Sequence, residues 1–164
     1  MPKEKPIEIF TPPNALKAKI GGALSPIDRN AIAKAERALA DLSNQFQDWM
    51  EDEIDKIEAA WSNYEAAADK VDAVSHVYGC AHDIKGLAPT YEYPFVSRVA
   101  SSLCNLTSDE LDRKTCPPGL MKAHVDAMRA AVKSQIKELD HPVGSMLLAE
   151  LEERAAEHLQ KIAA

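Results

Sequence analysis

The chain has 164 residues, of which 46% are hydrophobic and 5% aromatic, and its formal net charge is −7 at pH 7. A chain of this length can bury one hydrophobic core, and its many alanines and few aromatic residues favour packed helices over a sheet. The negative charge argues against binding to nucleic acid, because duplex binding requires a concentrated basic surface.

No targeting or membrane segment is evident in the sequence. We expect no signal peptide, because no sustained apolar region follows the N-terminal residues, and no stretch approaches the roughly 20 apolar residues of a membrane span. The three cysteines lack the paired spacing of a zinc site and are typical of buried thiols in a reducing compartment. We therefore expect a cytoplasmic protein that binds no metal and no membrane.

Residues 1–26 predict an irregular N-terminal arm, because prolines and the Gly21-Gly22 pair interrupt any regular element. From Ile27 onward, apolar residues recur at alternating spacings of three and four, which indicates one long amphipathic helix. Ser25 supplies its N-cap and Pro26 lies in its first turn. The apolar positions are Ile32, Ala35, Leu39, Leu42, Phe46, Trp49 or Met50, Ile54, Ile57, Trp61 and Tyr64.

Further helices are predicted at residues 71–88, 94–106 and 118–139, and a last one starts at Asp140-His141-Pro142. Thr107 and Glu110 have the form of a capping box, with Leu106 and Leu111 spaced as a hydrophobic staple, which predicts a short helical turn. The result is an all-α fold, an antiparallel four-helix bundle. Residues 1–26 are the arm, residues 27–140 the bundle, and residues 141–164 an additional C-terminal helix packed on it.

The segment His82-Asp83-Ile84-Lys85-Gly86 carries the clearest functional signal. On a helix, Lys85 and Gly86 are neighbours of His82 on the next turn, and Gly79 is its neighbour on the preceding turn. A glycine inside a helix costs roughly 1 kcal/mol relative to alanine, yet two of the six glycines in this chain flank one histidine. The pattern indicates a bare helical surface where another protein can approach the imidazole, with an ammonium group to offset an anion on the ring.

The stretch Ala81-His82-Asp83-Ile84-Lys85-Gly86 resembles the A-H-x-x-K-G signature of histidine-containing phosphotransfer (HPt) domains. Residues 90–96 and Leu103-Cys104 continue it in the manner of stand-alone bacterial HPt proteins. The resemblance implies that His82 is the phosphoryl acceptor and Lys85 the neutralising cation, while Gly86, with Gly79, clears space for a docking receiver domain. It implies response-regulator receiver domains and a hybrid sensor kinase as partners, an HPt-type bundle, and Mg²⁺ on the receiver rather than a cofactor on this chain.

The implied reaction is one step of a two-component phosphorelay. The histidine accepts a phosphoryl group from a receiver aspartate and passes it to another receiver, and the protein has no kinase activity of its own. Imidazole suits this role because, near neutral pH, it offers a nitrogen nucleophile without a separate general base. Phosphoryl transfer then needs mainly positioning and a nearby cation.

Two positions depart from the HPt pattern. The family usually has glycine where this chain has Glu92, and a small or polar residue at Pro89, so we expect an altered turn after the histidine helix and an additional carboxylate near the docking surface. These departures favour an alternative, an HPt-like adaptor that binds receivers without being phosphorylated. A sensor-kinase H-box fits poorly, because Gly86 and Leu87 stand where threonine and proline would be.

Structural roles stay open for the same residues. Gly86 could lie near a helix end, Gly79 could allow close helix packing, and Lys85 could be an ordinary solvated lysine. A metal site at His76 and Cys80 would have two ligands rather than the usual four. Surface or boundary positions are expected for the remaining histidines, His76, His124, His141 and His158.

Overall fold

The computed structural model of the protein describes residues 29–163, and within that range the chain forms six α-helices and no β-strand. The helices are α1 (Arg29–Ala66), α2 (Lys70–Leu87), α3 (Pro94–Leu106), α4 (Glu110–Thr115), α5 (Pro118–Lys133) and α6 (Pro142–Ala163). The predicted all-α class is thus confirmed for these residues. The predicted arm, and the predicted start of the first helix at Ser25-Pro26, lie outside the described residues.

The chain separates into two compact units, Met1–Leu39 and Ala40–Ala164. Of the first unit, the structure describes residues 29–39, which are the first turns of α1. The second unit holds the rest of α1, the other five helices and the hydrophobic core.

The core of the second unit is arranged around α3, of whose 13 residues eight are buried. This helix packs against α2, α5 and α6, and α5 also packs against α6. The later part of α1 contacts α5 through the ion pair between Glu58 and Arg129, whose atoms lie 3.1 Å apart. It reaches α2 where the Cys80 thiol lies 3.9 Å from the Lys56 carbonyl. Its own core residues are Met50, Ile54, Ile57, Ala60, Trp61 and Tyr64.

Local chemistry explains where the helices begin. Proline in the first turn starts both α3 and α5, since a proline lacks the N–H that would have no partner there. The short helix α4 begins with a capping box formed by Asp109 and Asp112. The predicted box at Thr107 and Glu110 is therefore wrong. The buried Thr107 hydroxyl instead donates to the Leu103 carbonyl at 2.8 Å, closing the end of α3, and the predicted staple residue Leu111 is exposed.

Helix α5 ends earlier than its apolar pattern predicts, at Lys133 instead of residue 139. Gln135 adopts a left-handed backbone with φ 53°. The Ile136 N–H then donates to the Ala131 carbonyl at 2.8 Å, and the Gln135 N–H to the Val132 carbonyl at 3.1 Å. This pair of hydrogen bonds is the Schellman motif, which satisfies the last carbonyls of a helix and reverses the chain.

The apolar stripe of α1 divides into two parts. Burial begins at Met50, whereas Ile32, Leu39, Leu42 and Trp49 are exposed although the periodicity placed them on the core side. None of the helices within residues 29–163 combines the length and apolarity required to cross a bilayer.

Candidate functional site

The candidate site lies on α2, whose first turn is fixed by the Asp69 side chain accepting from the N–H groups of Val71 and Asp72. One face of the helix enters the core through Ala73, Val74, Val77, Ala81 and Ile84. The side away from this face carries the predicted site. There His82, Lys85 and Gly86 are exposed and Gly79 is half-buried.

Both glycines of the site border open space. A Cβ atom added at Gly79 or at Gly86 would meet no atom within 4 Å outside the local helix. Neither glycine has a positive φ, so the backbone conformation at these two positions does not require glycine. Close helix packing therefore does not explain Gly79, and the structure leaves a bare surface on the turns before and after His82.

An aromatic side chain lies beside the imidazole on the preceding turn. The ring of Tyr78 is 6.0 Å from that of His82, centroid to centroid, and is tilted by 33°. The Arg113 guanidinium carbon lies 5.0 Å from the centre of the Tyr78 ring, while its Nε donates to the Thr107 carbonyl at 3.1 Å. Tyr78 itself is half-buried and packs against the hydrophobic core. Its position four residues before His82 was the signal that could have identified it.

The turn that carries Lys85 is tied to α3. The Ser97 hydroxyl donates to the Lys85 carbonyl at 2.8 Å, which fixes the backbone and leaves the lysine side chain exposed. Burial raises the pKa of the Cys104 thiol on α3, and the positive charge of Lys85 partly opposes that rise. The positive charge of Lys85 therefore acts on groups on the α3 side of α2. Nothing in the sequence pointed to Ser97, because its contact is made twelve residues away along the chain.

The opposite flank of α2, toward α1, carries the carboxylates of Asp83 and Glu53 and also the ammonium of Lys56, which is paired with Glu53 at 2.6 Å. Burial raises the pKa of the Cys80 thiol, and the carboxylates of Asp83 and Glu53 raise it further. Cys80 is therefore a neutral thiol near pH 7 and a poor nucleophile. His82 thus has the Lys85 cation on one side and the Asp83 carboxylate on the other.

The turn after α2 is a second Schellman ending. Glu92 has φ 64°, the Tyr93 N–H donates to the Ala88 carbonyl at 2.7 Å, and the Glu92 N–H donates to the Pro89 carbonyl at 3.2 Å. The carboxylate of Glu92 lies 3.7 Å from the Lys137 ammonium. The left-handed backbone gives a physical reason why glycine suits this position.

One histidine differs from its predicted location. His124 is completely buried, not a surface or boundary residue. Its Nδ1 lies 2.8 Å from the Leu120 carbonyl and its Nε2 lies 3.0 Å from the Ser102 hydroxyl, so both ring nitrogens are satisfied inside the core. Among residues 29–163, no three side chains of the ligating types His, Cys, Asp and Glu come together as a metal site.

Comparisons with known proteins identify no relative: no family model matches the chain, and neither curated proteins nor solved structures give a significant match.

Proposed function

We propose that the protein is a histidine phosphotransfer protein of a two-component phosphorelay, with His82 as the phosphoryl acceptor. The observation that carries the proposal is the exposed surface of α2, on which an imidazole stands between two glycines that border open space, with an exposed lysine one turn away. We propose as well that the later part of α1, with α2, α3 and α5, forms an antiparallel HPt-type four-helix bundle to which α6 is added.

The reaction requires from this chain mainly a ring nitrogen of His82 that is held in the correct position. The lone pair of the unprotonated ring nitrogen of His82 forms a bond to phosphorus while the bond from phosphorus to the receiver aspartate breaks, and the carboxylate leaves with that electron pair. Such transfer is in line and loose, so catalysis consists of positioning and charge neutralisation. A histidine inside a capped helix is already positioned, which lowers the entropic cost of transfer.

Lys85 supplies charge on this side of the reaction. Its ammonium group can offset the equatorial oxygens, while Mg²⁺ and the phosphorylated aspartate belong to the receiver partner. The hydrogen bond from Ser97 to the Lys85 carbonyl holds the turn from which the side chain extends. Gly79 and Gly86 leave the space that the receiver surface has to enter.

The direct test uses receiver domains encoded by the same genome, phosphorylated on aspartate in the presence of Mg²⁺. The wild-type protein should gain label that is acid-labile and base-stable, as phosphohistidine is, and His82→Gln should gain none. His76→Gln is the matched control, because His76 is a highly exposed histidine on the same helix, and it should be labelled like the wild type. Binding of receivers without any label would favour the adaptor, and full labelling of His82→Gln would reject His82 as acceptor.

Lys85→Ala separates the two roles assigned to the surface. We expect slower transfer with nearly unchanged receiver affinity, because the lost ammonium acts on the phosphoryl group. The loss of one charge-assisted hydrogen bond corresponds to about 1.5–3 kcal/mol, or roughly a tenfold to hundredfold lower rate. Rapid-quench measurement of transfer and titration calorimetry of binding report the two quantities. Normal transfer with collapsed affinity would reverse the assignment.

A further inference from the structure

Arg113, on the short helix α4, is held in place by the backbone that precedes this helix. Its Nε donates to the Thr107 carbonyl at 3.1 Å, and its Nη2 donates to the Ser108 carbonyl at 3.2 Å. The capping box of Asp109 and Asp112 fixes the first turn of the same helix. Because two hydrogen bonds restrain the guanidinium group, Arg113 presents a planar cation in a defined position.

This cation lies over the aromatic ring of Tyr78 on α2. The guanidinium carbon is 5.0 Å from the centre of the ring, which is within the range of a cation–π interaction. Tyr78 is also half-buried and packs against the hydrophobic core. The core and α4 therefore restrain the ring together, and it has less rotational freedom than an exposed tyrosine.

The restrained ring of Tyr78 lies beside the imidazole of His82. The two ring centres are 6.0 Å apart and the ring planes differ by 33°, a separation typical of aromatic rings in contact. His82 is otherwise exposed. Within residues 29–163 its side chain makes no hydrogen bond or ion pair, so in that part of the chain the contact with Tyr78 is its main restraint beyond the helix backbone.

Without this contact the imidazole would sample several orientations. A side chain on a helix has two common χ1 rotamers, and the χ2 torsion of histidine is broad and roughly two-fold. About four orientations would then be populated, whereas in-line attack on phosphorus through one ring nitrogen requires one of them. We propose that Tyr78, held by Arg113, is a positioning residue that keeps the His82 ring in one orientation. Its effect on phosphotransfer rests on the proposed function, whereas its effect on the ring does not.

The first test measures the orientation of His82 by nuclear magnetic resonance, in the full chain and without a receiver. Three-bond couplings should show one dominant χ1 rotamer of His82 in the wild type and in Tyr78→Phe, because phenylalanine retains the ring that contacts both neighbours. In Tyr78→Leu, which keeps an apolar side chain against the core, the couplings should show averaging between rotamers. A single rotamer of His82 in Tyr78→Leu would overturn the inference.

The same couplings test the role of Arg113. Arg113→Gln should populate a second rotamer of His82, because the Tyr78 ring loses the cation that holds it. Lys114→Gln is the matched control, since Lys114 is the neighbouring cation on α4 and pairs with Glu110, and it should leave the rotamer unchanged. Equal effects of the two variants would remove Arg113 from the inference. Circular dichroism checks that every variant keeps its helices.

The second test measures transfer from a saturating receiver phosphorylated on aspartate, so that the maximal rate is separated from affinity. Tyr78→Leu should lower the maximal rate about twofold to fourfold, because about one orientation in four is productive, with little change in receiver affinity. Tyr78→Phe should restore the wild-type rate. A wild-type rate in Tyr78→Leu would overturn the positioning role. A wild-type protein that takes up no label would instead reject the phosphotransfer function, and the couplings would still decide whether Tyr78 orients the ring.

Discussion

Two residues of the described chain, Glu92 and Gln135, have a left-handed backbone without being glycine. Such a conformation costs an ordinary residue about 1–2 kcal/mol. Each follows a helical stretch and completes the hydrogen bonds that end it. In the sequence, Glu92 was noticed only as a departure from the HPt pattern, and nothing indicated Gln135. Neither left-handed conformation could be predicted, because the direction of the following segment determines the backbone torsions of such a residue.

Replacing Glu92 with glycine should therefore stabilise the protein. Relief of the left-handed strain is partly offset by the greater unfolded-state entropy of glycine and by loss of the partly exposed ion pair with Lys137, which at 3.7 Å contributes little. We expect a net gain of about 0.5–1 kcal/mol in the free energy of unfolding. Urea titration followed by circular dichroism measures it.

The matched control is the same substitution in an ordinary helical conformation. Glu153 is exposed in the interior of α6, where glycine should cost about 1 kcal/mol. We expect Glu92→Gly to raise the free energy of unfolding and Glu153→Gly to lower it. A similar loss of stability in both variants would show that the backbone at Glu92 stores no strain.

At the scale of whole elements, the sequence predicted the helix α1 but not which part of its apolar stripe is buried. The repeat in α1 predicted one continuous helix, and residues 29–66 form it. Periodicity alone could not show that full burial begins only at Met50, while Ile32, Leu39, Leu42 and Trp49 stay exposed. Apolar spacing identifies a stripe, and only tertiary contact identifies its partner.

Helix α2 was predicted more accurately, because its signals are local. Its bounds differ by one residue from the predicted 71–88, and the exposure of His82, Lys85 and Gly86 follows from one helical spacing. The contacts of Ser97 and Arg113 with this helix come from α3 and α4. They bridge separate elements, so no pattern within α2 could have revealed them.

Substitution of Gly86 tests the meaning of the open surface on α2. Alanine should raise the free energy of unfolding by up to about 1 kcal/mol, because the helix gains propensity and the added Cβ meets no atom within 4 Å. Glutamine should also fold, yet its side chain would occupy the space beside His82 and reduce phosphotransfer steeply. Thermal melting and the rate of label transfer measure the two effects.

Gly119 provides the control, because it is an exposed glycine on α5 whose Cβ position is equally open. Gly119→Gln should leave phosphotransfer unchanged. If Gly86→Gln unfolded the bundle while transfer in the remaining folded protein stayed normal, Gly86 would serve the fold and the open surface would have been misinterpreted.

At the scale of the molecule, the all-α class and most helix bounds could be predicted from residue patterns. The placement of polar groups inside the core could not. His124 was expected at a surface or boundary position because it lacks the flanking lysine and glycines that surround His82. It is buried because α3 supplies the Ser102 hydroxyl and α5 supplies the Leu120 carbonyl, so that both ring nitrogens have partners.

This arrangement fixes the protonation of the ring. A carbonyl oxygen only accepts, so Nδ1 of His124 carries the hydrogen that it donates to Leu120, and Nε2 accepts from the Ser102 hydroxyl. A second proton on the ring would displace that hydrogen bond and bury a charge. Burial accordingly lowers the pKa of His124 below its ordinary value of 6.5, and the hydrogen bond to Leu120 opposes this only in part.

Global stability should therefore fall as the solution is acidified below about pH 6.5. In that range the unfolded chain takes up a proton at His124 that the folded chain does not, so the free energy of unfolding decreases with falling pH, by at most about 1.4 kcal/mol per pH unit. Urea titrations between pH 7.5 and pH 5 should show this slope in the wild type and a smaller slope in His124→Gln, which cannot titrate there. The other four histidines are common to both proteins, so parallel curves would mean that His124 is not held neutral by the core.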